Sequence, residues 1–417
     1  MNPLNLAAYG YDIVGPEVHS DGEMWVEVNY NLRQTLLSRY PGNGQINVRC
    51  ANGEVPVENC PGNRRWFQLY YDAMLLMPRN TTILQARDAI LAADSARFGG
   101  ADLDLLWHAF AERGFGQNAS VTGNADTDPI ASYESPLENE EQITFVGQAK
   151  DEAGNPPVAF RLFVGTYEAR VTPLAHTASF VPNKEGWDFL ATAPGYGFVR
   201  FHVNAGKAGD SRTITINFPT NWASQSKGTV ATGDGPIGTQ SRLIDDTEST
   251  NWSSTVAPVQ GKQVLLSFGA PRTFDVAKVS AFLVPGNGRW SAMRSFALLA
   301  CTAGGTENPT CDPAVAAGWR QILRSQDDAF PGASPRPVAP DLQLRVWNLP
   351  LTTATHVRFV VLENQCTGDP DFQGEQDNDT RATTDCRTNA AANSQVRAAE
   401  VQLMSSKPKV DGASKEQ

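Results

Sequence analysis

The sequence predicts a multidomain α+β protein, with a helical N-terminal part, a small β-sandwich and a third, β-rich domain. Three observations predict it. Apolar residues recur at helical spacing up to about residue 122, whereas from Ile143 onward they alternate with polar ones. Between the two regimes, residues 123–142 are rich in Asp, Glu, Asn, Pro and Ser, a composition that buries little and marks a linker. Finally, 417 residues are too many for one ordinary domain, and 41% hydrophobic with 19% charged residues reads as globular.

The elements follow in order. Trp25, Val28, Leu32 and Leu36 define one helical face, and Phe67, Tyr70, Tyr71 and Met74 another that Pro78 stops. Thr82 and Gln85 form a capping box for the next helix, with Ile83, Ala86 and Ile90 on one side. Asp102 caps the last helix and Gly114 ends it. Over residues 143–220, the runs 143–146, 159–164, 167–171, 197–203 and 213–218 read as short strands between Gly, Pro and Asn turns, which suits a small sandwich. A Gly/Ser/Thr-rich stretch from Gln225 to Gly238 opens the third domain, residues 225–405. The tail 406–417 is polar and expected to be loose.

Six cysteines fall into local couples, Cys50/Cys60, Cys301/Cys311 and Cys366/Cys386, each bracketing a polar loop. None is Cys-x-x-Cys, so zinc ribbons and thioredoxin-like motifs are poor readings. Three disulfides are expected instead, each worth roughly 3 kcal/mol, and with them an oxidising compartment. The alternative is buried free thiols. A net charge of −11 argues against nucleic acid as a partner. No apolar run is long enough for a transmembrane helix, and no signal peptide is visible in the first residues. A secreted protein is expected, and the Ala-rich, Arg-over-Lys usage suggests a bacterial source.

Glu17-Val-His-Ser-Asp-Gly-Glu-Met-Trp25 is followed by Gly62-Asn63, by Tyr71-Asp72-Ala73-Met74-Leu75-Leu76-Met77-Pro78 and by Ala86-Arg87-Asp88-Ala89-Ile90-Leu91-Ala92-Ala93-Asp94. Then come Arg97-Phe98-Gly99-Gly100 and Leu106-Trp107-His108-Ala109-Phe110-Ala111-Glu112-Arg113-Gly114. These blocks, in this order, resemble the C-terminal lobe of the fungalysin metallopeptidases, relatives of thermolysin. Trp187-Asp-Phe-Leu-Ala-Thr-Ala-Pro-Gly-Tyr196 is similar to carboxypeptidase regulatory-like modules. Leu243-Ile-Asp-Asp-Thr-Glu-Ser-Thr-Asn-Trp252, Val264–Gly269, Val276–Val279, His356–Val360 and Val396–Leu403 resemble discoidin (coagulation-factor type C) domains, which implies an eight-stranded jelly roll.

The fungalysin resemblance implies a secreted zinc metalloendopeptidase acting on protein or peptide substrates. It aligns His19 with a histidine that donates a hydrogen bond to the oxyanion as water attacks the carbonyl, and Glu17, in preference to Asp12, is the acid expected to fix the imidazole tautomer. Read without the resemblance, His19 is a helix-start residue satisfied by backbone. None of the five histidines opens a His-Glu-x-x-His motif, so the zinc ligands are expected upstream, in another catalytic half. Glu23 shares a helical face with His19, but two ligands are too few for a closed site. Asp72 and Asp88 are expected to be structural, and His108, His176, His202 and His356 to form no site. The discoidin resemblance implies a glycan- or substrate-targeting domain and a structural calcium held by Asp246, Thr250 and Glu400 with backbone carbonyls. Trp252 reads as core and Trp290 as an exposed aromatic. The rival reading is a non-catalytic extracellular carbohydrate-binding or adhesion protein.

Overall fold

A computed structural model describes residues 18–126, 129–166, 168, 173–204, 206–281, 290–330, 344–368 and 394–406, the side chains from residue 22 onward. By compactness the chain divides into two units, residues 1–145, 162–190 and 200–214 in one, and residues 146–161, 191–199 and 215–417 in the other.

The first unit begins with helices. α1 (Val18–Arg39) buries Met24, Val28, Leu32 and Leu36, a ridge spaced by four that gives the helix one apolar face. Asn43 caps α2 (Gly44–Ala51) by accepting from the amides of Gln45 and Ile46. α2 carries Cys50, whose disulfide to Cys60 staples the following loop to α3 (Gly62–Leu76). Gly62 is required where it stands, because a Cβ there would run into the Leu36 carbonyl of α1. α4 (Ile83–Phe98) has the expected capping box, Thr82 with Gln85, and stops at Gly99 in the left-handed region, φ 65°. α5 (Leu103–Ala111) follows. Its expected cap is a correction: the Asp102 side chain bonds no α5 amide. It accepts instead from Arg65 at 2.8 and 3.2 Å and from the Tyr40 hydroxyl at 2.7 Å. Leu69, Ala73, Ile90, Leu106, Phe110 and Phe115 close the helical core, the larger of them worth about 1.5–3 kcal/mol each.

β1 (Glu141–Ala149), β2 (Arg161–Val164), β3 (Thr177–Phe180), β4 (Trp187–Thr192), β5 (Val199–Val203) and β6 (Ser211–Phe218) form two three-stranded sheets, ordered β3-β1-β6 and β2-β4-β5. Phe145, Phe180, Trp187 and Phe189 interlock between them at centroid distances of 4.9 to 5.7 Å. Strands β3 and β4 are additional to those read from the sequence, while most of the strand expected at 167–171 lies outside the described residues. The acidic linker buries more than its composition predicts. Tyr133 is 2% exposed and packs on Phe180 and Trp187, and Ser132 and Ser135 are buried.

In the second unit, β7 (Val230–Gly233), β8 (Trp252–Ser254), β9 (Gln263–Ser280), β10 (Met293–Cys301), β11 (Arg320–Arg324), β12 (Arg345–Asn364), β13 (Val396–Ala398) and β14 (Glu400–Met404) complete an antiparallel jelly roll. Its larger sheet runs β11-β10-β12-β9-β14 with β7 also on β9, and β13 pairs β8. Central registers are Leu298↔Phe359 and Phe359↔Val264. Trp252, Phe274, Phe296 and Phe359 fill the core, so Trp252 is the core residue expected. Trp290 is not the exposed aromatic expected: it is 3% exposed. Cys301 and Cys311 are bonded. Cys366 is buried and disulfide-bonded, and Cys386 lies outside the described residues. Helices first, then a small sandwich and a third β-rich domain, is the order the patterns predict, and the jelly roll is the form the discoidin resemblance implies.

Candidate functional site

The first candidate is the N-terminal turn of α1. Its position is set by the buried ridge Met24–Val28–Leu32–Leu36 and by packing on Trp25, which meets Phe115 at 6.4 Å. His19 belongs to this turn, but its side chain, and Glu17 altogether, lie outside the described residues. Glu23 is exposed. Among the described residues no group of three or more His, Cys, Asp or Glu is arranged to hold a metal ion. The described residues therefore do not fit a zinc site.

The other family-position acids are structural. Burial opposes charge on Asp72, but hydrogen bonds from Arg97 and Gln68, both 2.8 Å, outweigh it and hold the carboxyl below its ordinary range. Asp88 is exposed and pairs with Arg87, whose guanidinium also donates to the Phe115 and Gly116 carbonyls.

His108 is the residue that sequence reasoning missed. Its Nδ1–H donates to both Glu138 oxygens, at 2.8 and 3.0 Å, and its Nε2 lies 3.4 Å from Glu112. Hydrogen bonds to Glu112 and to Glu138 outweigh burial and push the imidazole up to about 10. A ring protonated on both nitrogens at neutral pH cannot serve as base or metal ligand. It acts as a cationic pin from α5 to the linker. A cleft of about 740 Å³ opens beside it, reached also by Asn31 and Gln34 of α1 and by His202, whose Nδ1 is 2.8 Å from Asp188. His108 and His202 thus share one cleft, although the sequence suggested unrelated positions. The i,i+4 spacing of His108 and Glu112 was the only local signal.

The second candidate is a buried acidic cluster in the jelly roll. Asp246, in the left-handed region with φ 62°, accepts from Gly195 N (2.9 Å), Ser224 Oγ (2.6 Å), Asn221 Nδ2 (3.3 Å) and Ser226 Oγ (3.2 Å). Its lone pairs are therefore taken, and it holds a loop. Asp245 is the acid beside Thr250, whose hydroxyl donates to it at 2.6 Å, and burial lifts Asp245 to about 6. Glu400 is fully buried on β14, and burial together with the charges of Asp246, Asp245 and Glu248 raises its carboxyl well above the usual range. One oxygen of Asp245 and one of Glu400 are buried with no hydrogen-bond partner. These two acceptors are unsatisfied within the chain, one of them on the acid that Thr250 bonds, and among the described residues the acids here form no group of three arranged to hold a metal ion.

Comparison with known proteins finds likenesses for the N-terminal segment and for the C-terminal part separately. Residues 1–119 match the family model described as fungalysin metallopeptidase (M36). Over 103 residues the chain is 39% identical to extracellular metalloproteinase 3 of Trichophyton soudanense, covering 25% of each protein. It is likewise 39% identical over 103 residues to the extracellular metalloproteinase mep of Aspergillus flavus, covering 25% of this chain and 16% of that one. The segment is also 36% identical over 102 residues to an extracellular metalloproteinase of Pyrenophora tritici-repentis, covering 24% and 15%. The chain thus spans a quarter or less of the length of these relatives. Among solved structures, a family 32 carbohydrate-binding module of Clostridium perfringens bound to GalNAc-β-1,3-galactose covers 43% of this chain and 97% of itself, at 17% identity and a TM-score of 0.27. The corresponding module of AlyQ covers 42% and 93%, at 16% identity and a TM-score of 0.25. The N-terminal segment is therefore similar to a stretch of extracellular metalloproteinases. One expectation is overturned: the curated relatives are fungal, which conflicts with a bacterial source.

Proposed function

We propose that this chain is the C-terminal part of a secreted fungalysin-type zinc metalloendopeptidase, carrying accessory domains that target substrate or glycan. The observation that carries the reading is the match over residues 1–119, which coincides with the helical lobe built on α1. In this reading peptide substrates lie across the first turn of α1. His19 donates to the oxyanion as it develops, a bond stronger in the transition state than in the ground state. Glu17 orients the imidazole. Zinc, held by residues upstream, would supply the activated water. In the jelly roll, calcium held by Asp245, Thr250 and Glu400 would neutralise the buried acids. The orphaned oxygens favour Asp245 over Asp246 as the ligand.

The test restores a zinc-bearing half, fused or mixed, and follows peptide hydrolysis. His19→Ala should lower kcat by roughly 10² with little change in KM and unchanged zinc content. Near-normal turnover refutes the role, and loss of zinc makes His19 a ligand. If no zinc-bearing partner confers activity, the chain is instead a non-catalytic extracellular binding protein.

A further inference from the structure

The connection from β10 to β11 encloses an open hollow of about 340 Å³ that none of the roles above uses. We propose that it binds a neutral hexopyranose unit of a glycan, an inference resting on the reading of the jelly roll as a targeting domain. Two properties carry it.

The first is that the walls are fixed in advance. The Cys301–Cys311 disulfide closes the loop. Asn308, 3% exposed, donates to the carbonyls of Asp312, Val315 and Ala317 at 2.9 to 3.3 Å and accepts from Asp312 N at 2.8 Å. Gly318, φ 80°, lies so close to Asn308 that a Cβ would sit 2.7 Å from its side chain. A site shaped before its ligand arrives loses less on ordering, which weak sugar binding requires.

The second is the chemistry of the lining. The hollow is lined by Thr306, the carboxylate of Glu307 and the guanidinium of Arg320, and by Thr302 and Thr353, whose hydroxyls are already bonded to the Thr353 carbonyl and to Thr273 but keep acceptor capacity. Glu307 gives one oxygen to Gly318 N at 3.2 Å and keeps acceptor capacity. Arg320 reaches Thr352 at 3.4 Å with one nitrogen and has further N–H groups to give. Vicinal ring hydroxyls both donate and accept, so one diol can satisfy acid and base together. A phosphate or uronate would be repelled by Glu307, and an ammonium by Arg320. The volume lies at the small end of ligand sites and suits one sugar ring.

The experiment uses the full chain in affinity gel electrophoresis against galactomannan, mixed-linkage β-glucan and pullulan, with thermal melts alongside. Wild type should be retarded by at least one polymer. Arg320→Ala should weaken that retardation roughly tenfold or more, as should Glu307→Gln, which keeps an acceptor for Gly318. Arg324→Ala, on the same strand but paired outward with Asp327, should change nothing. If Arg320→Ala fails to fold, Glu307→Gln decides. Retardation unchanged in the folded variants overturns the site and leaves the targeting reading standing. No retardation of wild type by any polymer overturns both.

Discussion

In the helical unit, Asp102 is fully buried and meets Arg65 at 2.8 Å and the Tyr40 hydroxyl at 2.7 Å. In the second unit, Glu400 is equally buried, yet the charges acting on it are those of Asp246, Asp245 and Glu248. Arg65 is held further by the ring faces of Tyr40 and Phe98 at 4.1 and 3.9 Å. Asp102 thus meets a guanidinium from its own unit, whereas Glu400 is surrounded by like charge and has one oxygen with no hydrogen-bond partner. Burial alone therefore says little about function. What separates a scaffold acid from a ligand candidate is whether the chain supplies the partner.

The largest effect should come from breaking the internal pair. Asp102→Ala leaves a nearly buried guanidinium unpaired and should cost about 3–5 kcal/mol in urea unfolding of the helical unit. A loss near zero would mean that Tyr40 and Phe98 hold Arg65 by themselves. Next comes the acidic cluster. If calcium binds, a concentration a hundredfold above Kd should stabilise the jelly roll by about 2.7 kcal/mol, read as a melting shift against chelator. Glu400→Gln should abolish the shift without lowering the calcium-free melting temperature, because the variant resembles the protonated acid. A calcium shift that survives Glu400→Gln places the cation elsewhere.

The smallest effect is the pH dependence of His108. Its folded-state pKa lies above the unfolded value of about 6.5, so its stabilising contribution is complete below that pH. It fades as pH rises through about 10. The side chain is 27% exposed, which tempers the effect to about 1–2 kcal/mol between pH 6.5 and 10. His108→Gln should flatten that slope in thermal melts across the window, and an unchanged slope would remove His108 as its origin.

What was legible in the sequence was local. The α1 ridge, the Thr82/Gln85 box and the alternation in β1 and β6 are written within a few residues of each other. What failed was non-local. Asp102 looks like a cap because the cap signal is adjacent, while its actual partner Arg65 is 37 residues away. Of the two acids that charge His108, Glu112 is four residues away and legible, while Glu138 is 30 residues away in a stretch that composition marks as a linker. Asp245 and Asp246 are neighbours, and only the left-handed backbone at Asp246 decides which faces Thr250 and which the Ser224 loop. The role proposed for His19 rests on resemblance, and its side chain lies outside the described residues.

The linker has a further consequence, for survival among peptidases. A peptidase needs several residues of its victim free and extended, and an acidic stretch between domains is where nicking ordinarily begins. Here that stretch is fastened at intervals: Ile130 bridges Ser120, Tyr133 enters the aromatic cluster, Ser135 N donates to Glu140 and Glu138 grips His108. From residue 129 to 140 the described linker is therefore held at several points, and limited proteolysis should cut it more slowly than its acidic composition suggests.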